Sequence, residues 1–259
     1  MWNVWPEVIK EYLGVCTAAA ESDALFNKFR RNQSYVKILE HVGYQHGLEY
    51  IDAIKKEIGD AGISRDGDKW KAGDSHGGPK QNFFSAVGSI SPSTLRYARI
   101  AYDIKKCFGD IADKSICEIG SGYGGQVRML SALFGCDDFT IIDLLPPIQL
   151  AKKYLEKYQI YPMCYCSDMI STIQIEPDIV ISNYAFSELD SDEQIVYYNN
   201  VIRRAKCGYM LYNKTRGSLE IKTMQKMLKN SIIIPEGISG SRSEILIWGE
   251  HGLGNISEG

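Results

Sequence analysis

Long apolar runs are missing from this sequence. No stretch of its 259 residues approaches the roughly 20 apolar positions that cross a bilayer, so no membrane-spanning helix is expected. The opening residues, "MWNVWPEVIKEY", lack the basic-then-apolar layout of a signal peptide, and a cytoplasmic location is expected. An excess of one charge is missing too. Lys and Arg total 29 against 32 Asp and Glu, a net −3, which gives no general pull toward nucleic acid or an anionic membrane. Neither is expected as a partner. Cysteine pairs at zinc spacing are also lacking. Cys16, Cys107, Cys117, Cys136 and Cys207 stand singly among apolar residues, as buried reduced thiols do. Cys164 and Cys166 form a C-x-C in "MCYCSD", but no second pair accompanies them. In a strand the two share a face, and packing is their expected role.

What is present is an ordinary globular composition, 44% hydrophobic and 24% charged, long enough for a sizeable core. The chain divides near residue 110. Residues 1–110 read mostly helical, with no period-2 strand of any length. "WPEVIKEYLGVCTAAAESDALFNKFR" and "SYVKILEHVGYQHGLEYIDAIKKEIG" space their apolar residues as helices do. "GDAGISRDGDKWKAGDSHGGPKQ" reads as a long loop, a lid or a partly disordered segment. "SPSTLRYARIAYDIKKCF" reads as a helix with Ser91 or Ser93 as cap and Pro92 in its first turn.

Residues 111–259 alternate strand and helix. "SICEIG", "DFTIIDL", "YPMCYCSD", "DIVISNY" and "GYMLYN" are strands, with amphipathic helices among them, and "SIIIPEG" and "SEILIWGE" close the chain. Such alternation predicts an α/β fold whose mostly parallel sheet is covered on both faces. The last two strands lie too close for a helical crossover, so the final one is expected antiparallel.

"SICEIGSGYGGQVRML" puts a tight glycine turn between a strand and a helix, as nucleotide-bearing cofactors require. G-x-G-x-x-G can be read there (Gly120, Gly122, Gly125), which would suggest a dinucleotide. Two features argue otherwise. The strand ends on Glu118, where dinucleotide-binding strands carry an apolar residue, and the sheet ends in an antiparallel hairpin preceded by a helical cap. That is the layout of the Rossmann-like seven-stranded sheet of S-adenosylmethionine-dependent methyltransferases. In that fold Glu118 would hold the cofactor's amino end, beside the turn of Gly120, Ser121 and Gly122. Asp143, about 20 residues on and followed by Leu144, could take the ribose hydroxyls. Asp168 could accept from the adenine amino group while Met169 packs on the ring. Asn183 and Tyr184 would lie beside the reacting methyl. Each acid has a plainer reading as a cap or turn residue. All of these positions converge on one crevice at the carboxyl ends of the strands.

"SPSTLRYA", "CEIGSGYGGQ", "IIDLLPPIQLAKKYL", "SNYAFSELD" and "GYMLYN" together resemble a bacterial family of sugar O-methyltransferases encoded with capsule or lipopolysaccharide genes. The resemblance covers roughly residues 80 to 215. It implies methylation of a sugar hydroxyl on a nucleotide-linked or glycan precursor, with a homodimer as an open possibility. "SNYAFSE" lacks the Asp/Asn-Pro-Pro-aromatic motif of nucleic-acid amino methylation. Glu188, in "NYAFSEL", is the first candidate to accept the hydroxyl proton, and His76, on the expected lid, the second. Arg96 is either a bidentate partner of the cofactor carboxylate or a surface charge. The acids of "ELDSDE" suit a helix start better than a metal site, and no metal is expected. His41 and His46 read as structural histidines, His251 as solvated, and the pairs Arg30–Arg31 and Arg203–Arg204 as solvated faces. The competing classes are a dinucleotide-dependent oxidoreductase and a non-catalytic S-adenosylmethionine-binding subunit.

Overall fold

The computed structural model describes residues 6–213 and 215–250; His251 lies outside them. Seven strands form one sheet: β3 (Ile116–Ile119), β4 (Phe139–Asp143), β5 (Met163–Cys166), β6 (Ile179–Asn183), β7 (Cys207–Tyr212), β8 (Ile232–Pro235) and β9 (Glu244–Gly249). A separate hairpin of β1 (Asn82–Phe84) and β2 (Gly88–Ile90) precedes them. The sheet order is β5-β4-β3-β6-β7-β9-β8, and β9 alone runs antiparallel to its neighbours. This is an α/β, Rossmann-like seven-stranded sheet, mostly parallel, with its last strand antiparallel as expected. The order reverses between β3 and β6, and that reversal opens a crevice at their carboxyl ends.

Alternation within the strands builds two cores. Ile116, Ile141, Ile179, Ile181, Tyr209, Leu211, Ile245 and Ile247 face one side. Cys117, Ile142, Val180, Met210, Leu246 and Trp248 face the other, against α8 (Ser191–Asn200) and α9 (Ile221–Met227). The first face is covered by α5 (Pro92–Phe108), α6 (Gly125–Phe134) and α7 (Leu145–Glu156). Its core runs without interruption into the N-terminal helices α1 (Pro6–Glu21), α2 (Asp23–Phe26), α3 (Gln33–Ile38) and α4 (Tyr44–Lys71). Tyr12, Phe29, Tyr35 and Trp70 lie in the same apolar cluster as Val127 and Ile141. The helical cap therefore shares its core with the sheet layer.

Several expectations for the first 110 residues are corrected. The glycine-rich stretch after residue 59 is a loop only at residues 76–81. Helix α4 continues through it to Lys71, with one non-helical residue, Gly59, at φ 67°. Residues 72–75 form a short 3-10 turn. The turn is held by Tyr154 Oη donating to the Gly73 carbonyl (2.9 Å) and Tyr158 Oη to that of Ala72 (2.7 Å). The three-residue strands of the β1–β2 hairpin were too short to leave a period-2 signal. Arg30 is no solvated face either: it is fully buried. It pairs with Glu40 (2.5 Å) and Asp74 (2.9 Å), donates to Thr94 Oγ1 (3.1 Å), and lies over the Tyr123 ring. That network ties the α2–α3 region, the end of α4 and the start of α5 together.

Candidate active site

A cavity of about 680 Å³ opens at the carboxyl ends of β3, β4, β6 and β7. Glu118, Gly120, Ser121, Gly122, Asp143, Leu144, Asn183, Tyr184 and Glu188 line it from the sheet, and Arg96 and Tyr97 from α5. The glycine turn reaches this position because Gly120, Gly122 and Gly124 have φ of 79°, 55° and 86°, a region that side chains disfavour. Close approach matters as much. A Cβ on Gly120 would fall on the Ala185 methyl, and one on Gly122 would come within 2.8 Å of Leu39 Cδ1.

The electrostatics of the turn are those of a site short of partners. Glu118 is 2% exposed; its Oε1 accepts a long bond from Asn183 Nδ2 (3.4 Å), and its Oε2 has no partner. Burial, with Asp143 nearby, holds the Glu118 carboxyl well above its ordinary range. Arg96 is 4% exposed, donates only a long bond to the Leu39 carbonyl (3.4 Å), and has an unpartnered Nε. Its guanidinium lies between the rings of Tyr97 and Tyr184. Ser121 Oγ and Asn183 Oδ1 are likewise buried without partners. Asp143 accepts from the Gly122 N–H (2.9 Å) and the Leu144 N–H (2.7 Å), so it braces the turn as well as facing the cavity. Burial pushes its carboxyl up to about 6, against those bonds.

Past β6 the backbone turns sharply at Tyr184, whose φ is 72°. Its hydroxyl donates to Glu236 Oε1 at 2.6 Å, and Ser241 Oγ donates to Glu236 Oε2 at 2.6 Å. Glu188 follows in a short 3-10 turn, Ala185–Glu188. Burial raises its carboxyl to about 7, offset in part by the Asn213 side chain. Asp190 caps α8 by accepting from the Glu193 N–H (3.0 Å), so the acids after Glu188 do belong to a helix start.

Three expected site residues lie elsewhere. His76 does not line the cavity. Its ring packs between Phe26 and Tyr158, with centroids 6.0 Å and 5.7 Å away, because the turn carrying it is held down beside Arg30. Asp168 and Met169 sit exposed at the end of β5, outside the cavity wall. The expected lid is also replaced: of residues 60 to 97 only Arg96 and Tyr97 reach the cavity. Its cover is Val8, Ile9 and Tyr12 of α1, residues 37–39, and the β8–β9 loop. That loop docks on α4 through the Ser239 N–H to Glu49 Oε2 (2.7 Å) and the His46 Nε2–Ser239 carbonyl contact (3.3 Å).

Sequence reasoning missed Tyr50, Asn213 and Glu236 as lining residues, and it assigned His41 and His46 to structural roles although both face the cavity. Burial, with Arg96 nearby, lowers the His41 pKa and favours its neutral form. Asn213 ends "GYMLYN", but no local motif marks His41, His46, Tyr50 or Glu236. His46, Tyr50 and Glu236 are brought in where α4 meets the β8–β9 loop, and Asn213 by the end of β7.

Comparisons with solved structures return chains of low identity. The methyltransferase domain of bacterial CtHen1 is 11% identical, over 60% of this chain and 97% of that one, with a TM-score of 0.46. An O-methyltransferase family protein from Burkholderia thailandensis is 12% identical, over 60% and 58%, at 0.45. M. capricolum TrmK, in complex with S-adenosylhomocysteine, is 15% identical, over 60% and 70%, at 0.42. No family model matches the chain, and no curated protein matches it. No described helix is long and apolar enough to cross a membrane.

Proposed function

We propose that the chain is a cytoplasmic S-adenosylmethionine-dependent methyltransferase that methylates a hydroxyl of a sugar, nucleotide-sugar or glycan precursor of a surface polysaccharide. The observation that carries the cofactor is the pairing of Glu118 and Arg96. Two buried side chains, one acidic and one basic, each with an unpartnered atom, face one cavity beside a glycine turn. That set complements a zwitterion: an ammonium at Glu118 and Asn183, a carboxylate at Arg96. Asp143 would take the ribose hydroxyls. Bound there, S-adenosylmethionine would supply an activated sulfonium methyl. In this reading residues 1–110 form the cap over a cofactor domain of residues 111–259, and a homodimer remains compatible with it.

The protein's own part is alignment and one proton. Holding acceptor and methyl in line can contribute on the order of 7–11 kcal/mol at best. Glu188 accepts the proton of the attacking hydroxyl, and its position near neutrality suits it to do so. As the bond from the hydroxyl oxygen to the methyl forms, the methyl–sulfur bond would break and S-adenosylhomocysteine would leave, and Glu188 then releases its proton to water. Tyr184, fixed by Glu236, forms the wall between cofactor and acceptor. The sugar class is supported by the resemblance of residues 80 to 215 and by the hydroxyl, amide and carboxylate lining on that wall. Screening nucleotide sugars with isotope-labelled S-adenosylmethionine tests it. Once an acceptor is found, Glu188→Gln should lower turnover about 10²-fold or more with S-adenosylhomocysteine affinity retained. Turnover within a few-fold of the parent would remove Glu188 as the base.

A further inference from the structure

Arg96 and Arg99 lie three positions apart on α5, and a chain of contacts leaves the helix at one and returns at the other. Arg99 Nη2 donates to the Glu236 carbonyl (3.0 Å), while its Nε pairs with Asp103 (2.7 Å). The Glu236 carboxylate, 3% exposed, accepts from Ser241 Oγ and from Tyr184 Oη, each at 2.6 Å. The Glu236 N–H donates to the Ser243 carbonyl (3.1 Å), so its backbone and both carboxylate oxygens are engaged. Tyr184 closes the chain, with its ring centroid 5.8 Å from the Arg96 guanidinium carbon. Little else fixes Arg96. Its one hydrogen bond, to the Leu39 carbonyl, is long (3.4 Å), and its other ring neighbour, Tyr97 at 5.7 Å, belongs to the same helix. Tyr184 is therefore its support from outside α5. At φ 72° the Tyr184 backbone takes a conformation that a non-glycine residue keeps only when its surroundings hold it. Glu236, 52 positions away, holds the far end of that side chain.

We propose that Glu236 is a positioning residue for the cofactor site, acting through Tyr184 on Arg96. By taking the Tyr184 hydroxyl proton in a short bond it fixes the ring, and the face of the ring fixes the guanidinium where a ligand carboxylate meets it. This inference rests on reading Arg96 as the partner of the cofactor carboxylate. A guanidinium held in place beforehand loses less freedom when the ligand arrives, so the support appears as affinity. Glu236 also stands at the root of the β8–β9 loop. The same bond thus ties the roof of the cavity to the cofactor end of its floor.

The test is calorimetric titration with S-adenosylhomocysteine and with 5′-methylthioadenosine, which keeps the adenosine and the sulfur but lacks the amino-acid end. Tyr184→Phe keeps the ring and removes its anchor, Glu236→Leu removes the group it is anchored to, and Glu236→Gln keeps an oxygen that can accept from Tyr184. Tyr184→Phe and Glu236→Leu should each weaken S-adenosylhomocysteine binding about tenfold, and the double variant no further than either alone. Glu236→Gln should bind it nearly as the parent does. 5′-Methylthioadenosine offers Arg96 no carboxylate, so its affinity should not change in any of them. Equal losses for the two ligands would show a merely structural role and overturn the proposal; so would additive losses, or S-adenosylhomocysteine binding unchanged in Tyr184→Phe. If Glu236→Leu fails to fold, Tyr184→Phe decides, since it removes one hydroxyl and leaves Glu236 in place. A parent that does not bind S-adenosylhomocysteine would refute the cofactor reading itself, and this inference with it, before any variant is compared.

Discussion

Glu188 gives the residue scale its sharpest consequence. Burial raises this acid from 4.5 to about 7, so its ionised form is disfavoured in the folded state. The native protein therefore holds the proton longer than the unfolded chain, and stability falls as pH rises between those two values. Below 4.5 there is no penalty; above 7 it is at full size. Glu188→Gln should therefore stabilise the free protein by about 1–3 kcal/mol at pH 8 and by little at pH 4. Denaturant unfolding at the two pH values measures this, and an equal effect at both would contradict it. Gly122→Val tests the turn. Its side chain would meet Leu39 and strain a φ of 55°, so S-adenosylhomocysteine binding should be lost while the sheet survives. Near-UV and far-UV circular dichroism beside calorimetry separates binding from unfolding.

The acids at strand ends were legible in the sequence because a strand's carboxyl end is fixed once its direction is known. Glu118 and Asp143 needed only that. Arg30 was not legible. Beside Arg31 and Asn32 it reads as surface, and only Glu40 and Asp74, 10 and 44 positions away, make its burial tolerable.

Among the elements, the seven sheet strands could all be read from apolar runs bounded by turn residues, and the antiparallel β9 from a loop too short for a helix. The second half of α4 could not. Gly59, Gly62 and Gly67 look like loop composition, yet only Gly59 has a positive φ. Gly47, earlier in the same helix, shows another use of glycine, since a Cβ there would strike the Phe84 ring of the β1–β2 hairpin. Close packing against a neighbour distant in sequence leaves no period to detect. The Arg30 network makes this region firm. Arg30→Met keeps the stem but leaves Glu40 and Asp74 buried without their cation, which should cost about 3–5 kcal/mol. Denaturant unfolding reads the loss, and hydrogen exchange should show residues 72–80 opening first. A loss under 1 kcal/mol would mean that the cap is held by apolar contact alone.

At the scale of the whole molecule, cap and sheet share one core, and the cavity lies where they meet. Its floor follows from strand order, but its roof depends on α1, α3, α4 and the β8–β9 loop, joined by contacts such as His46 to Ser239, 193 positions apart. This is why Glu118, the glycine turn, Asp143, Asn183 and Tyr184 could be placed at the cavity from the sequence, while its lining from α1, α4 and the β8–β9 loop could not. The central claim is that the floor, with Glu118 and Arg96 opposed across it, accepts the zwitterionic end of S-adenosylmethionine and not a dinucleotide. Calorimetric titration of the free protein with S-adenosylhomocysteine and with NAD tests it directly. The account predicts saturable binding of S-adenosylhomocysteine, weakened in Arg96→Leu, and no heat from NAD; binding of NAD without S-adenosylhomocysteine would contradict it.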